Sequence, residues 1–132
     1  MGAIIMGFLG GIVCYWGVND LKRMLGVDDS LDVFGVHGVG GILGALLTGV
    51  FASPELGGTG VWDYVANAPG TFDMGSQMIA QAWGVGTAVV WSAVVSYIAF
   101  KLIDMTIGLR VSAEDEREGL DIATHGESAY HA

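Results

Sequence analysis

The chain is poor in cysteine, proline and positive charge, and each shortage removes a class of protein. One cysteine, Cys14, cannot form an internal disulfide, and nothing near it has metal-ligand spacing. It reads as a small buried apolar residue. The two prolines, Pro54 and Pro69, both fall within residues 53–73, so neither interrupts an apolar stretch. Five basic residues stand against 14 acidic ones, for a net charge of −9, and they form no basic patch suited to nucleic acid. Charged residues make up 14% of the chain, where a soluble domain carries roughly 25%.

What is abundant points the other way. Of the 132 residues, 52% are hydrophobic, 22 are glycine, and the mean hydropathy is +0.56. Glycine at this level is unusual in soluble helices and common in packed transmembrane ones. Three runs carry no Asp, Glu, Lys or Arg: residues 2–18, 33–52 and 74–100. A bilayer-spanning helix needs about 20 apolar residues, within a range of roughly 17 to 25. Backbone groups in lipid need internal partners, and three segments cannot close a barrel, so the runs must be helices. The expected fold is an all-α integral membrane protein with three transmembrane helices, near residues 2–19, 30–52 and 74–107. This transmembrane region, residues 1–110, precedes a polar tail, residues 111–132.

The few basic residues orient the spans. Lys22 and Arg23 lie between the first two, and Lys101, Arg110 and Arg117 follow the third. The positive-inside rule makes the first linker and the tail cytoplasmic, with the N-terminus outside a plasma-membrane bilayer. The linker over 53–73 holds both prolines and four glycines but no basic residue, and reads as an irregular external loop. Trp62 and Tyr64 are its candidate interface anchors.

The second run, DVFGVHGVGGILGALLTGVF, places an ionisable ring among six glycines. At helical spacing His37 shares a face with Val33 and Phe34 on one side and Gly40, Gly41 and Gly44 on the other. Gly40 and Gly44 form a small-xxx-small pair that admits a neighbouring helix or leaves an opening beside the ring. Intramembrane ionisable groups line pathways or bond neighbouring helices, and the glycines favour a pathway. An imidazole among apolar groups favours its neutral form, with one N–H donor and one bare acceptor nitrogen. Asp32 or Ser30 is the expected N-cap of this helix. An enzyme built on Asp32 and His37 is not expected. Their five-residue spacing separates them by about 140° on a helix, and no nucleophile, metal set or cofactor motif accompanies them.

Longer blocks carry a more specific signal. VDDSLDVFGVHGVGGILGALLTGVFA resembles the tenth transmembrane helix of the ammonium transporter (Amt/Mep/Rh) family. WGVNDLKRMLGVDD resembles the segment joining its ninth and tenth helices, and GLRVSAEDEREGLDIATHGESAY resembles its cytoplasmic C-terminus. The resemblance implies an eleven-helix fold, mostly homotrimeric, with a narrow apolar pore through each protomer and two facing histidines midway along it. By that resemblance His37 is the second histidine, Val33 a pore-wall residue and Asp32 a structural carboxylate near the pore. The substrate implied is ammonium or ammonia. The tail would dock on the cytoplasmic face and contact PII-type regulatory proteins. A complete family member is roughly three times as long. The chain is therefore expected to be the C-terminal part, helices nine to eleven, and unable to transport alone.

Local features complete the reading. SAED predicts a capping box with Ser112 as N-cap and Asp115 at the third helical position, and a short helix ending at Gly119. Lys101 and Asp104, three apart, can pair. Trp83, Trp91 and Tyr97 are packing or lipid-facing residues. His125 and His131 lack metal-ligand spacing. The alternative function is a non-transporting membrane module that binds full-length protomers or a PII-type protein.

Overall fold

A computed structural model of the chain describes residues 2–128. It is all-α apart from one small hairpin, and three of its helices are long and apolar enough to cross a membrane: Gly2–Leu25, Phe34–Phe51 and Met74–Thr106. Two compact units divide at Val89.

In the first unit, helix α1 (Gly2–Trp16) runs through a π-helical segment, Gly17–Leu21, into α2 (Lys22–Leu25) without a break. The helix therefore runs six residues past the expected end near residue 19. The polar residues there do not stop the helix. The Asn19 amide donates to the Tyr15 carbonyl at 2.9 Å. Lys22 and Arg23 sit in the last turn, where their charge suits the helix C-terminus. Gly26 ends the helix in the left-handed region at φ 61°, its N–H donating to the carbonyls of Lys22 and Arg23.

The second long helix begins after residues 30–32, which were expected within the span. A π-helical segment, Phe34–Val39, leads into α3 (Gly40–Phe51). The loop beyond is less irregular than expected. It holds a single turn, Pro54–Leu56, and an antiparallel hairpin in which β1 (Trp62–Asp63) pairs with β2 (Ala68–Pro69). The Asp63 carboxylate closes the hairpin turn by accepting from the N–H groups of Val65 and Ala66. Tyr64 is 89% exposed at that turn and Trp62 half exposed on the strand, so both aromatics are available to an interface. The third long helix, α4 (Met74–Thr106), starts where the Asp73 carboxylate accepts from Ser76 N–H at 2.7 Å. α3 and α4 meet at buried Gly49, where an added Cβ would lie 2.7 Å from Gln81 Cγ.

In the second unit, α4 ends before Gly108, and two short helices follow, α5 (Ala113–Glu118) and α6 (Leu120–His125). Of the expected capping box the N-cap half forms, and the Asp115 carboxylate turns to the Ser112 hydroxyl rather than to its backbone N–H. Ser112 Oγ accepts from Asp115 N–H at 3.1 Å and donates to the Asp115 carboxylate, and α5 stops at Gly119. Arg110 pairs with Glu116 at 3.3 Å. Lys101 and Asp104 form no ion pair with each other among the described residues, contrary to expectation. His125 ends α6, and His131 lies outside the described residues.

No large apolar side chain is buried among the described residues, and Trp83, Trp91 and Tyr97 are each at least 66% exposed. The helices expose apolar surface nearly all round. A water-soluble domain could not sustain that area, and lipid or further helices are its natural cover.

Candidate functional site

The region around His37 is built from its N-terminal cap upward. The Asp29 carboxylate accepts from the backbone N–H groups of Val33 at 2.9 Å and Phe34 at 2.8 Å, and so caps the helix. The expected caps, Asp32 and Ser30, do not fill this role. Asp32 lies in the left-handed region at φ 56°, a conformation a short carboxylate side chain tolerates, and its carboxylate turns to Lys22 Nζ at 2.6 Å. That ion pair ties the end of the first helix to the start of the second. It borders a cavity of about 400 Å³ also lined by Asn19 and Arg23.

His37 sits within the π-helical segment Phe34–Val39. Wide i→i+5 turns of this kind are rare and recur at functional sites. The segment crosses the other π-helical segment, Gly17–Leu21, and the contact is backbone on backbone. A Cβ on Gly35 would lie 2.8 Å from Val18 N and 2.9 Å from the Gly17 carbonyl carbon. A Cβ on Gly17 would lie 3.1 Å from Gly35 O. Both glycines are buried. One turn further along, the Cys14 thiol donates to the Val36 carbonyl at 3.6 Å, and a Cβ on Gly40 would lie 2.8 Å from the sulfur.

The expected Gly40–Gly44 packing pair is thus half right. Gly40 receives Cys14 from the first helix, while a Cβ on Gly44 would meet nothing within 4 Å. The close crossing lies instead at Gly35 and Gly17, which the small-xxx-small pattern did not single out. Asp29 and Lys22 were missed as well. The available signal was the opposite charge of Lys22 and Asp32 on either side of a turn that Gly26 begins.

His37 is exposed, and its imidazole makes no hydrogen bond among the described residues. Val33, one turn earlier, is 50% exposed. The structure therefore presents both residues at the surface of this chain, and it directs the Asp32 carboxylate to Lys22. No group of three or more His, Cys, Asp or Glu side chains in metal-binding proximity occurs among the described residues.

The profile of the Ammonium Transporter Family matches residues 1–130. The chain is 38% identical over 129 residues to an ammonium transporter of Bacillus subtilis, across 97% of this chain and 30% of that protein. It is 41% identical over 132 residues to an ammonium transporter of Aquifex aeolicus, across 99% of this chain and 29% of that protein. It is 42% identical to one from Mycobacterium tuberculosis, across 98% of this chain and 27% of that protein. The chain thus spans less than a third of the length of these curated relatives.

Proposed function

The chain belongs to the ammonium transporter family, and from that premise we propose that it is the C-terminal segment of an ammonium or ammonia transmembrane transporter. It contributes one pore histidine, His37, and a regulatory tail, and does not transport alone. The observation that carries this reading is the imidazole itself. It lies exposed on an apolar helix, beside exposed Val33, without a hydrogen-bond partner among the described residues. A polar group in lipid needs a partner, so the face that carries it is one that other helices complete around a pathway.

The chemistry fits a small N–H species. A naked ammonium ion in an apolar passage would cost on the order of tens of kcal/mol to desolvate, so the proton leaves before entry. A pair of facing imidazoles then offers ammonia hydrogen-bond partners. His37 supplies half of that pair, Val33 forms the apolar wall, and Asp32 holds the helix start through Lys22. The basic linker and the tail are cytoplasmic and the N-terminus external, as the positive-inside rule requires. The complete protein is a homotrimer in the plasma membrane, and the tail is the docking element for a PII-type regulatory protein.

The test is ammonium flux in vesicles. A polypeptide that carries this segment with the missing helices transports ammonium, and His37→Ala alters its rate or its selectivity over methylammonium. The chain by itself, reconstituted alone, gives no flux above empty vesicles. Unchanged transport and selectivity in the His37→Ala variant would remove the pore assignment. Flux by the isolated chain would remove its placement as an incomplete segment. Binding of a PII-type protein or of full-length protomers, without any flux from the longer polypeptide, would establish the non-transporting module instead. The uncovered apolar helix faces favour that second reading as a partner surface.

A further inference from the structure

Resting on the reading of His37 as a pore residue, we infer that Cys14 is a positioning residue for His37, acting through the backbone of the π-helical turn that carries the imidazole. Three independent features converge on that turn. At its start, Gly35 is locked against the Gly17–Val18 backbone, with no room for even a methyl group. At its far end, the N–H of Gly40 donates to the His37 carbonyl. That bond spans three residues and tightens the chain where the wide segment ends. Here the Val36 carbonyl receives the thiol of Cys14, at 3.6 Å from the neighbouring helix. The absence of a side chain at Gly40 makes room for the sulfur, since a Cβ there would come within 2.8 Å of it.

The arrangement has two discrete states. Rewinding residues 34–39 as α-helix would shift the Val36 carbonyl relative to the Cys14 thiol on the neighbouring helix. It would also advance the ring by a step of about 100° relative to the helix beyond. The thiol bond is made in the wide-turn geometry and therefore holds the segment there. A thiol is a weak donor, so the bias is modest and tunable, unlike the steric lock at Gly35. Cys14 touches neither the imidazole nor a substrate. Its effect reaches the ring through one carbonyl, which belongs to the residue immediately before His37.

The test combines a spectroscopic and a transport readout. Nitrogen-15 histidine spectra are recorded on the chain in lipid nanodiscs, with the His37 signals assigned by their loss in His37→Gln. The ratio of ammonium to methylammonium uptake is measured in the longer transporter that carries this segment. Cys14→Ala is expected to displace the His37 ring signals and to change the uptake ratio by about three- to tenfold. Cys14→Ser, which keeps a donor, restores both. Gly40→Ala, which crowds the sulfur, reproduces the displacement and serves if Cys14→Ala fails to accumulate. If Cys14→Ala leaves ring signals and ratio unchanged while His37→Ala alters the ratio, the positioning role is overturned and the pore reading stands. If His37→Ala leaves the ratio unchanged, the pore reading falls and this inference falls with it.

Discussion

Replacing Gly35 with alanine tests the crossing of the first two helices directly. The added carbon would sit 2.8 Å from Val18 N and 2.9 Å from the carbonyl carbon of Gly17. Both are backbone atoms and cannot rotate aside. Ordinary contact begins near 3.4 Å, so the two helices must separate by about 0.6 Å or more. Overpacking of this kind costs about 1–3 kcal/mol. Alanine recovers part of that through better helix propensity, up to about 1 kcal/mol. Gly44→Ala is the matched control on the same helix, because a Cβ there meets nothing within 4 Å. Only the propensity gain applies to it. The two variants should therefore move in opposite directions, with a gap of about 1–3 kcal/mol. The assay is SDS-titrated unfolding of the chain in bicelles, followed by fluorescence of Trp16, which adjoins Gly17, with the other tryptophans replaced by phenylalanine. Equal midpoints for the two variants would refute the backbone-on-backbone crossing.

Two further outcomes are expected. Ser112→Ala removes the acceptor for Asp115 N–H and should cost the first tail helix about 0.5–2 kcal/mol, seen as faster hydrogen exchange at Asp115 and Glu116 with no change at α4. The carboxyls of Asp63 and Asp73 lie below the ordinary aspartate value of 3.8: the N–H of Ala66, then that of Val65, holds Asp63 down, and the Ser76 backbone N–H, then its side chain, holds Asp73 down. A carboxylate lowered by folding stabilises the folded form above its unfolded value, and the contribution is lost as pH falls through the folded one. The hairpin turn and the α4 cap should thus hold at neutral pH and loosen in acid below about pH 4, read from the amide shifts of Val65, Ala66 and Ser76. Loosening already at pH 6 would contradict the assignment.

The parts of this molecule that the sequence made legible are those decided within a few residues. Three apolar runs specify three long helices, because lipid leaves the backbone no other choice. Ser112 and Asp115 specify a cap because both partners lie in one turn. The internal position of His37 in a glycine-rich run is likewise plain. What stayed hidden depends on contacts between helices. Nothing in FGVHGV marks a π-helical winding; it accompanies the approach of Gly17 to Gly35, eighteen residues away in the chain. Asp32 looks like the cap until Lys22 claims it and Asp29 takes the helix N–H groups. Gly40 and Gly44 look equivalent, but only one of them meets the neighbouring helix. The first helix outruns its apolar stretch because Asn19 and Lys22 satisfy their polar ends without leaving helical geometry.

The tight turn over residues 26–32 and the glycine crossing beside it bear on how the protein is made. The partners at the crossing are close in sequence, so closing the loop between them costs little entropy. Lys22 and Asp32 are ten residues apart, and their bond can form as soon as both helices have left the translocon. The helical hairpin can then close before α4 takes its place in the bilayer. A defect at Gly35 should therefore first be met by the cell's membrane quality control, as a nascent hairpin that cannot close and is degraded. It should lower the amount of protein before it alters anything the finished protein does.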